Sequence, residues 1–294
     1  MSELSFSPLI VGCMNLGEWG SNYNSDDLYQ FVLHCLSRGL TSFDHADIYG
    51  DYTTEAQFGG LLKKHPKLRS QMQLITKCGI RRVCTNRPDH RVKAYDASAM
   101  HIRASLENSL IQLNTDYIDL LLIHRPDWLM DPEEVAEEVQ ALKKEGKIKA
   151  FGVSNFTASQ YDLLNEATPL LTNQIEASLL HLDPYTDGTL DQCVKLKSRP
   201  MAWSPLGAGR FFTDRGDEQV ARIVKALEPL CKKYNATEDQ LLLSWLMLHP
   251  ARILPVLGTT KIERIDSALE SLKIKMDRED WYDLWQASTG ATIA

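Results

Sequence analysis

Eight short runs of apolar and β-branched residues, set between longer amphipathic stretches, constrain this 294-residue chain more than any other feature. The runs are Leu9–Met14, Thr41–Phe43, Gln73–Lys77, Ile118–His124, Ala150–Val153, Thr172–Gln174, Pro200–Trp203 and Ile253–Pro255. Each has strand length, and the segments between them read as helices. Ser25-Asp26-Asp27 opens the first helix and Gly39 closes it. Ser98 caps a helix with Ile102, Leu106, Leu110 and Leu113 at helical spacing. Asp131-Pro132-Glu133-Glu134 places a cap, a first-turn proline and acidic residues at a helix start, and Gly146 ends that helix. Thr237, with Asp239 and Gln240, begins the helix through Leu246. Eight strands alternating with helices predict an α/β fold, either a closed (β/α)8 TIM barrel or a doubly wound sheet. The first strand is followed by Gly12-Cys13-Met14-Asn15-Leu16-Gly17, which is not Gly-x-Gly-x-x-Gly. That counts against the dinucleotide-binding doubly wound fold, so any nicotinamide cofactor has to be held in another way. No low-complexity linker interrupts the chain, and residues 1–294 read as one domain.

Composition excludes several classes. The chain is 44% hydrophobic and 24% charged, ordinary for a globular protein and wrong for a disordered one. A net charge of −7 argues against a nucleic-acid or membrane-surface binder. No apolar run approaches the ~20 residues of a membrane span. The opening Met-Ser-Glu-Leu-Ser-Phe-Ser-Pro has neither a charged nor an apolar signal region. The six cysteines are scattered, without Cys-x-x-Cys or zinc spacing, so they read as reduced thiols of a cytoplasmic protein that needs no metal. Oligomeric state is not fixed by the sequence, and a monomer is the working expectation.

In a barrel the chemistry sits at the C-terminal strand ends. Asp44, His45, Asp47 and Tyr49 follow the second run, Lys77 ends the third, and His124 ends the fourth with Arg125 after it. Ser154-Asn155 follows the fifth, Gln174 ends the sixth, and Trp203 ends the seventh with Ser204 after it. A lysine at a strand end needs a partner, because lysine is almost never buried unpaired. Asp44 is the natural one. A tyrosine beside that lysine is expected to have a lowered pKa, and a nearby histidine can orient a carbonyl or relay a proton. Such a set can protonate a carbonyl oxygen while another group delivers hydride.

These blocks resemble the aldo-keto reductase superfamily, in particular its bacterial predicted-oxidoreductase branch. Gly39–Gly50 is similar to the family's strand-2 motif, and Ile75-Thr76-Lys77-Cys78 to its lysine strand. The stretch from Ser105 to Pro126 is similar to its second signature, which ends in the histidine. Lys147–Phe156, Trp203–Gly209 and Pro255–Thr260 complete the series, in order and over nearly the whole chain. The resemblance implies a (β/α)8 barrel that reduces aldehydes or ketones to alcohols with NADP(H). It implies Tyr49 as proton donor, Lys77 and Asp44 as the pair that sets its pKa, and His124 as the residue orienting the substrate carbonyl. Ser154, Asn155 and Gln174 match the carboxamide-binding groups, and Trp203 matches the aromatic that stacks on the nicotinamide. Ser204, Pro205, Leu206, Gly207, Gly209 and Arg210 match the loop over the pyrophosphate, and Gly12, Cys13 and Met14 line the cofactor. Gly258, Thr259, Thr260, Lys261 and Arg264 match the adenosine end, where a basic helix start suits a 2′-phosphate.

Two departures stand out. The family often has Glu-Asn three and four residues after that arginine, contacting adenine, where this chain has Ser267 and Ala268. The 79–97 connection is long and basic, with Arg81, Arg82, Arg87, Arg91 and Lys93. It reads either as a mobile solvated loop or as a border of the substrate mouth that prefers anions. Trp19, Tyr23 and Trp128 are candidate walls of a pocket for a small carbonyl substrate. Two rival readings remain: a Schiff-base lyase acting through Lys77, and a non-enzymatic redox sensor.

Overall fold

The computed structural model describes residues 4–293. Each expected apolar run contains a strand, with ends shifted by a residue or two. The strands are β1 (Ile10–Gly12), β2 (Ser42–Asp44), β3 (Gln73–Cys78), a short pair β4 (Ile80–Arg81) and β5 (Ala94–Tyr95), β6 (Ile118–Ile123), β7 (Ile148–Ser154), β8 (Asn173–Glu176), β9 (Met201–Trp203) and β10 (Leu254–Leu257). Eight of them close a parallel barrel in the order β1-β10-β9-β8-β7-β6-β3-β2, while β4 and β5 form a separate antiparallel pair. All six residues of β6, Ile-Asp-Leu-Leu-Leu-Ile, are buried, as expected of a parallel strand covered on both faces.

By density of internal contacts the chain divides into two units. One runs to Gln174 and includes Gly258–Thr260; the other comprises the remaining residues from Ile175. In the first, β3 pairs with β6 from Ile75↔Leu120 to Cys78↔Ile123, and β6 pairs with β7 from Ile118↔Ile148 to Ile123↔Val153. Buried Asp119 ties these strands together at their start. It accepts from Arg69 and Lys149, both at 2.8 Å, and from the Leu74 N–H at 2.9 Å. Helix Thr54–Lys64 packs against the end of helix Ala99–Gln112. Gly59 permits the approach, since a Cβ there would lie 1.8 Å from the Gln112 carbonyl oxygen.

In the second unit, helices Glu218–Tyr234 and Glu238–Met247 bury Ile223, Leu227, Leu241 and Trp245 in a common cluster. The Trp245 and Trp281 rings stack with centroids 4.8 Å apart, and each indole N–H donates to the other residue's carbonyl at 3.0 Å.

Ser98, Asp131 and Thr237 are the expected N-caps. The first helix, Ser25–Ser37, is capped instead by Asn24, whose Oδ1 accepts from the N–H groups of Asp26 and Asp27 at 2.9 Å. Ser25 is the first helical residue, because the asparagine amide reaches both orphan N–H groups from one position earlier. None of the six cysteines is disulfide-bonded; Cys13, Cys35, Cys78 and Cys193 are buried, and Cys84 and Cys231 are partly exposed. No described helix is long and apolar enough to cross a membrane.

Candidate active site

β2 and β3 are adjacent and in register, so Asp44 at the end of β2 pairs with Ile75, two residues before Lys77. Lys77 is fully buried and spends its three N–H donors on three oxygens. Nζ donates to Asp44 Oδ2 at 2.8 Å, to the His45 carbonyl at 2.7 Å and to the Tyr49 hydroxyl at 3.0 Å. The other Asp44 oxygen accepts from Gln174 Nε2 at 2.9 Å. Burial works against the Lys77 charge, but the Asp44 and Tyr49 oxygens outweigh it and hold its pKa above the ordinary lysine value. The charged form of Lys77 is thus favoured, and the ion pair is fully hydrogen-bonded, as a buried pair must be.

Burial pushes the Tyr49 hydroxyl above its ordinary value, and the pull of Lys77 does not overcome that. The expected lowering is thus reversed, because the ring lies in low dielectric with Asp44 close behind the lysine. A neutral phenol results. Its oxygen accepts from Lys77, which leaves its O–H free to point elsewhere. The His124 ring lies edge-on to Tyr49 with centroids 6.1 Å apart. Burial, with the charges of Lys77, Arg125 and Lys93, lowers the His124 pKa well below the usual range, so the imidazole is neutral. Its Nδ1 is buried without a hydrogen-bond partner among the described residues. Trp19 stands beside Tyr49 with ring centroids 6.3 Å apart.

A second set adjoins this one. Asn155 sits at φ +61° just past β7 and donates from Nδ2 to the His124 carbonyl at 3.2 Å and to Ser154 Oγ at 2.8 Å. Ser154 Oγ donates to the Gln174 carbonyl at 2.8 Å. Ser154, Asn155 and Gln174 thus form one amide-rich cluster joined to Asp44. Gly12 and Cys13 are buried at the end of β1, with the Cys13 N–H on the Asp44 carbonyl at 2.9 Å, and Met14 is exposed. Gly258 accepts from Asn15 Nδ2 at 2.9 Å, and Thr260 Oγ1 meets Ser21 Oγ at 2.6 Å. The Tyr23 hydroxyl donates to the Thr260 carbonyl, and its ring packs on Phe31. Trp128 is 81% exposed and touches Tyr95. Sequence reasoning missed Asn15 and Ser21, since polar residues in a turn carry no signal of a partner more than 230 positions away.

Within the second unit, Trp203 ends β9 and Ser204 follows at φ +50°. Leu206 is half-buried and Pro205 buried. Gly207, Ala208 and Gly209 are consecutive left-handed residues, at φ +55°, +53° and +86°. Successive turn residues of this kind make a backbone concavity suited to an anion. Arg210 is engaged by Asp217 at 2.9 Å and Asp214 at 3.4 Å. Lys261 is the N-cap of helix Ile262–Glu270, and Arg264 lies on its first turn, both exposed. Ser267 donates to Asp239 at 2.8 Å and accepts from Gln240 at 3.1 Å, and Ala268 is buried. This chain therefore uses those two positions for helix packing. Taken separately, the amide cluster of the first unit fits a carboxamide, and in the second unit the aromatic strand end fits a flat ring while the backbone turn and the basic helix start fit phosphate groups.

The 79–97 connection is neither bare nor merely solvated. The Asp96 N–H bonds the Gly79 carbonyl at 3.0 Å, Ala97 N–H bonds Asp127 at 2.8 Å, and Arg82 Nε bonds Asp51 at 2.5 Å.

A closed parallel barrel with a buried Lys-Asp-Tyr set and a histidine near its strand ends is the arrangement of an oxidoreductase class. The profile of the aldo/keto reductase family matches residues 8–288, and the chain belongs to that family. It is 47% identical over 294 residues to the uncharacterized oxidoreductase YcsN of Bacillus subtilis, covering 99% of this chain and 97% of that one. It is 42% identical to the oxidoreductase YdhF of Escherichia coli, covering 98% and 95%, and 41% identical to a 6-dehydroglucose reductase of Agrobacterium fabrum, covering 99% and 97%. The crystal structure of the thermostable aldo-keto reductase Tm1743, bound to the inhibitor epalrestat, superposes with a TM-score of 0.77 at 26% identity over 97% of both chains. The protein is thus an oxidoreductase of a family that works with a nicotinamide cofactor.

Proposed function

We propose that this protein, acting as one barrel domain, reduces an aldehyde or ketone to an alcohol with NADP(H), with Tyr49 as the proton donor. The observation that carries the reading is the three-way hydrogen bonding of Lys77 to Asp44, the His45 carbonyl and Tyr49. It fixes the Tyr49 oxygen as an acceptor from the ammonium and commits its own proton outward. When bound, the reduced nicotinamide supplies hydride to the carbonyl carbon. Tyr49 gives its proton to the oxygen as charge develops there, and Lys77 stabilises the phenolate left behind. Neutral His124 orients the carbonyl oxygen without competing for that proton. Asp44 keeps Lys77 charged and in place.

Ser154, Asn155 and Gln174 are assigned to the carboxamide. Trp203 is assigned to the ring face and the Ser204–Arg210 turn to the pyrophosphate. Lys261 and Arg264 are assigned to the 2′-phosphate that separates NADP from NAD. A dehydrosugar aldehyde belongs in the substrate panel because the Agrobacterium relative is named for one. Tyr49→Phe removes the hydroxyl, and with it both the transferable proton and one acceptor of Lys77. Turnover should fall roughly 10²–10⁴-fold with NADPH affinity unchanged. Retained turnover in that variant would refute the assignment. Turnover that survives without any nicotinamide, with borohydride trapping at Lys77, would mark the lyase alternative.

A further inference from the structure

The turn that carries Tyr49 is held in an unusual way. Gly50, Asp51 and Tyr52 follow the tyrosine with φ of +57°, +52° and +72°. Two of these are not glycine, and a left-handed non-glycine residue persists only where its surroundings over-determine it. Here the surroundings are the 79–97 connection. Arg82 N–H donates to Tyr52 Oη at 3.1 Å, Tyr52 Oη donates to the Ile80 carbonyl at 3.2 Å, and Asn86 Nδ2 donates to the Asp51 carbonyl at 2.8 Å. The Arg87 guanidinium lies over the Tyr52 ring, 4.1 Å from its centroid.

Arg82 is the centre of this clamp. Its Nε donates to Asp51 Oδ1 at 2.5 Å, and its guanidinium carbon stands 4.9 Å from the centroid of Trp19, the ring beside Tyr49. The charged plane is therefore pinned at one edge and backed by an indole. It stands one aromatic ring from the Tyr49 side chain. Its two terminal nitrogens make no hydrogen bond among the described residues, and the side chain is 40% exposed. A guanidinium fixed in this way has already lost its rotamer freedom, and its remaining N–H groups face water.

We infer that Arg82 is a specificity-determining residue that donates to an oxygen on the end of the substrate remote from the reacting carbonyl. The substrate class is then an oxygen-bearing carbonyl compound, hydroxylated or carboxylated, rather than a purely apolar aldehyde. This rests on Tyr49 marking the reacting end.

Three aldehydes of one shape test it: 4-carboxybenzaldehyde, 4-(hydroxymethyl)benzaldehyde and 4-methylbenzaldehyde. In Arg82→Ala, KM for one or both oxygen-bearing aldehydes should rise roughly tenfold or more. KM for the methyl compound and NADPH affinity should stay within about twofold, and any fall in kcat from the loosened turn should be the same for all three aldehydes. Arg82→Lys, which keeps charge but loses the fork, should recover part of the loss. A rise for the carboxylate alone assigns an anionic substrate, and for the hydroxymethyl alone a neutral hydroxylated one. An equal rise for all three would reduce Arg82 to a wall support and overturn the inference, as would no rise for any. Tyr49→Phe run on the same panel separates the two levels, since an active Tyr49→Phe condemns the catalytic assignment and not the Arg82 effect.

Discussion

Two buried side chains close to the catalytic set titrate with opposite signs. Burial raises Glu55 to about 7 even though Thr76 Oγ1 donates to it at 2.5 Å, and burial with the charge of Lys77 lowers His45 to about 3. Glu55 has a folded pKa above its unfolded value, so its share of stability is full below about pH 4.5 and is lost as pH rises to about 7. His45 is the reverse: its share is present above pH 6.5 and lost as pH falls toward 3. Between about pH 4.5 and 6.5 the two slopes oppose each other. Glu55→Gln keeps an acceptor for Thr76 and removes one slope. Relative to the parent, this variant should gain stability by about 1.4 kcal/mol per pH unit from pH 4.5 to 7. Urea unfolding at pH 5 and 7 measures it, and a difference that does not change with pH would show that Glu55 is ionised throughout.

Elements meet where small residues let them. Helix Thr54–Lys64 approaches the end of its neighbour through Gly59, and the obstacle to any larger residue is backbone, not a movable side chain. Gly59→Ala should therefore lower stability by about 1–3 kcal/mol or more, whereas Gly60→Ala, with open space at its Cβ, should leave it unchanged or raise it by about 0.4–1 kcal/mol. Paired denaturation curves of the two variants decide this. The strands and most caps were legible, because a buried parallel strand is a continuous apolar run and a cap is a local pattern. Asp44, Tyr49 and Lys77 were legible for a similar reason: they are polar residues placed at or just past such runs. The Arg82–Asp51 clamp was not, since it depends on left-handed backbone at residues that do not advertise it. The rise in the Tyr49 pKa was hidden too, because adjacency to a lysine is visible in a motif and the depth of burial is not. Asn24 replaced Ser25 as cap because adjacent capping residues compete, and only geometry selects between them.

Across the whole molecule, cofactor choice should appear as stability. A ligand that binds only the folded state stabilises it by about 2.7 kcal/mol at a hundred times its Kd. NADPH should raise Tm more than NADH at equal concentration, and Lys261→Ala with Arg264→Ala should erase the difference. Equal shifts in the parent would remove the 2′-phosphate assignment. The cysteines give the same molecule a built-in clock. Four thiols are sealed in the interior and two lie near the surface, with Cys84 on the clamped connection beside the site. An alkylating reagent reaches a sealed thiol only when the surrounding structure opens. The order in which the six are labelled therefore records which parts of the chain open first. Cys84 reports the connection that Arg82 holds, and the four interior thiols wait for larger openings.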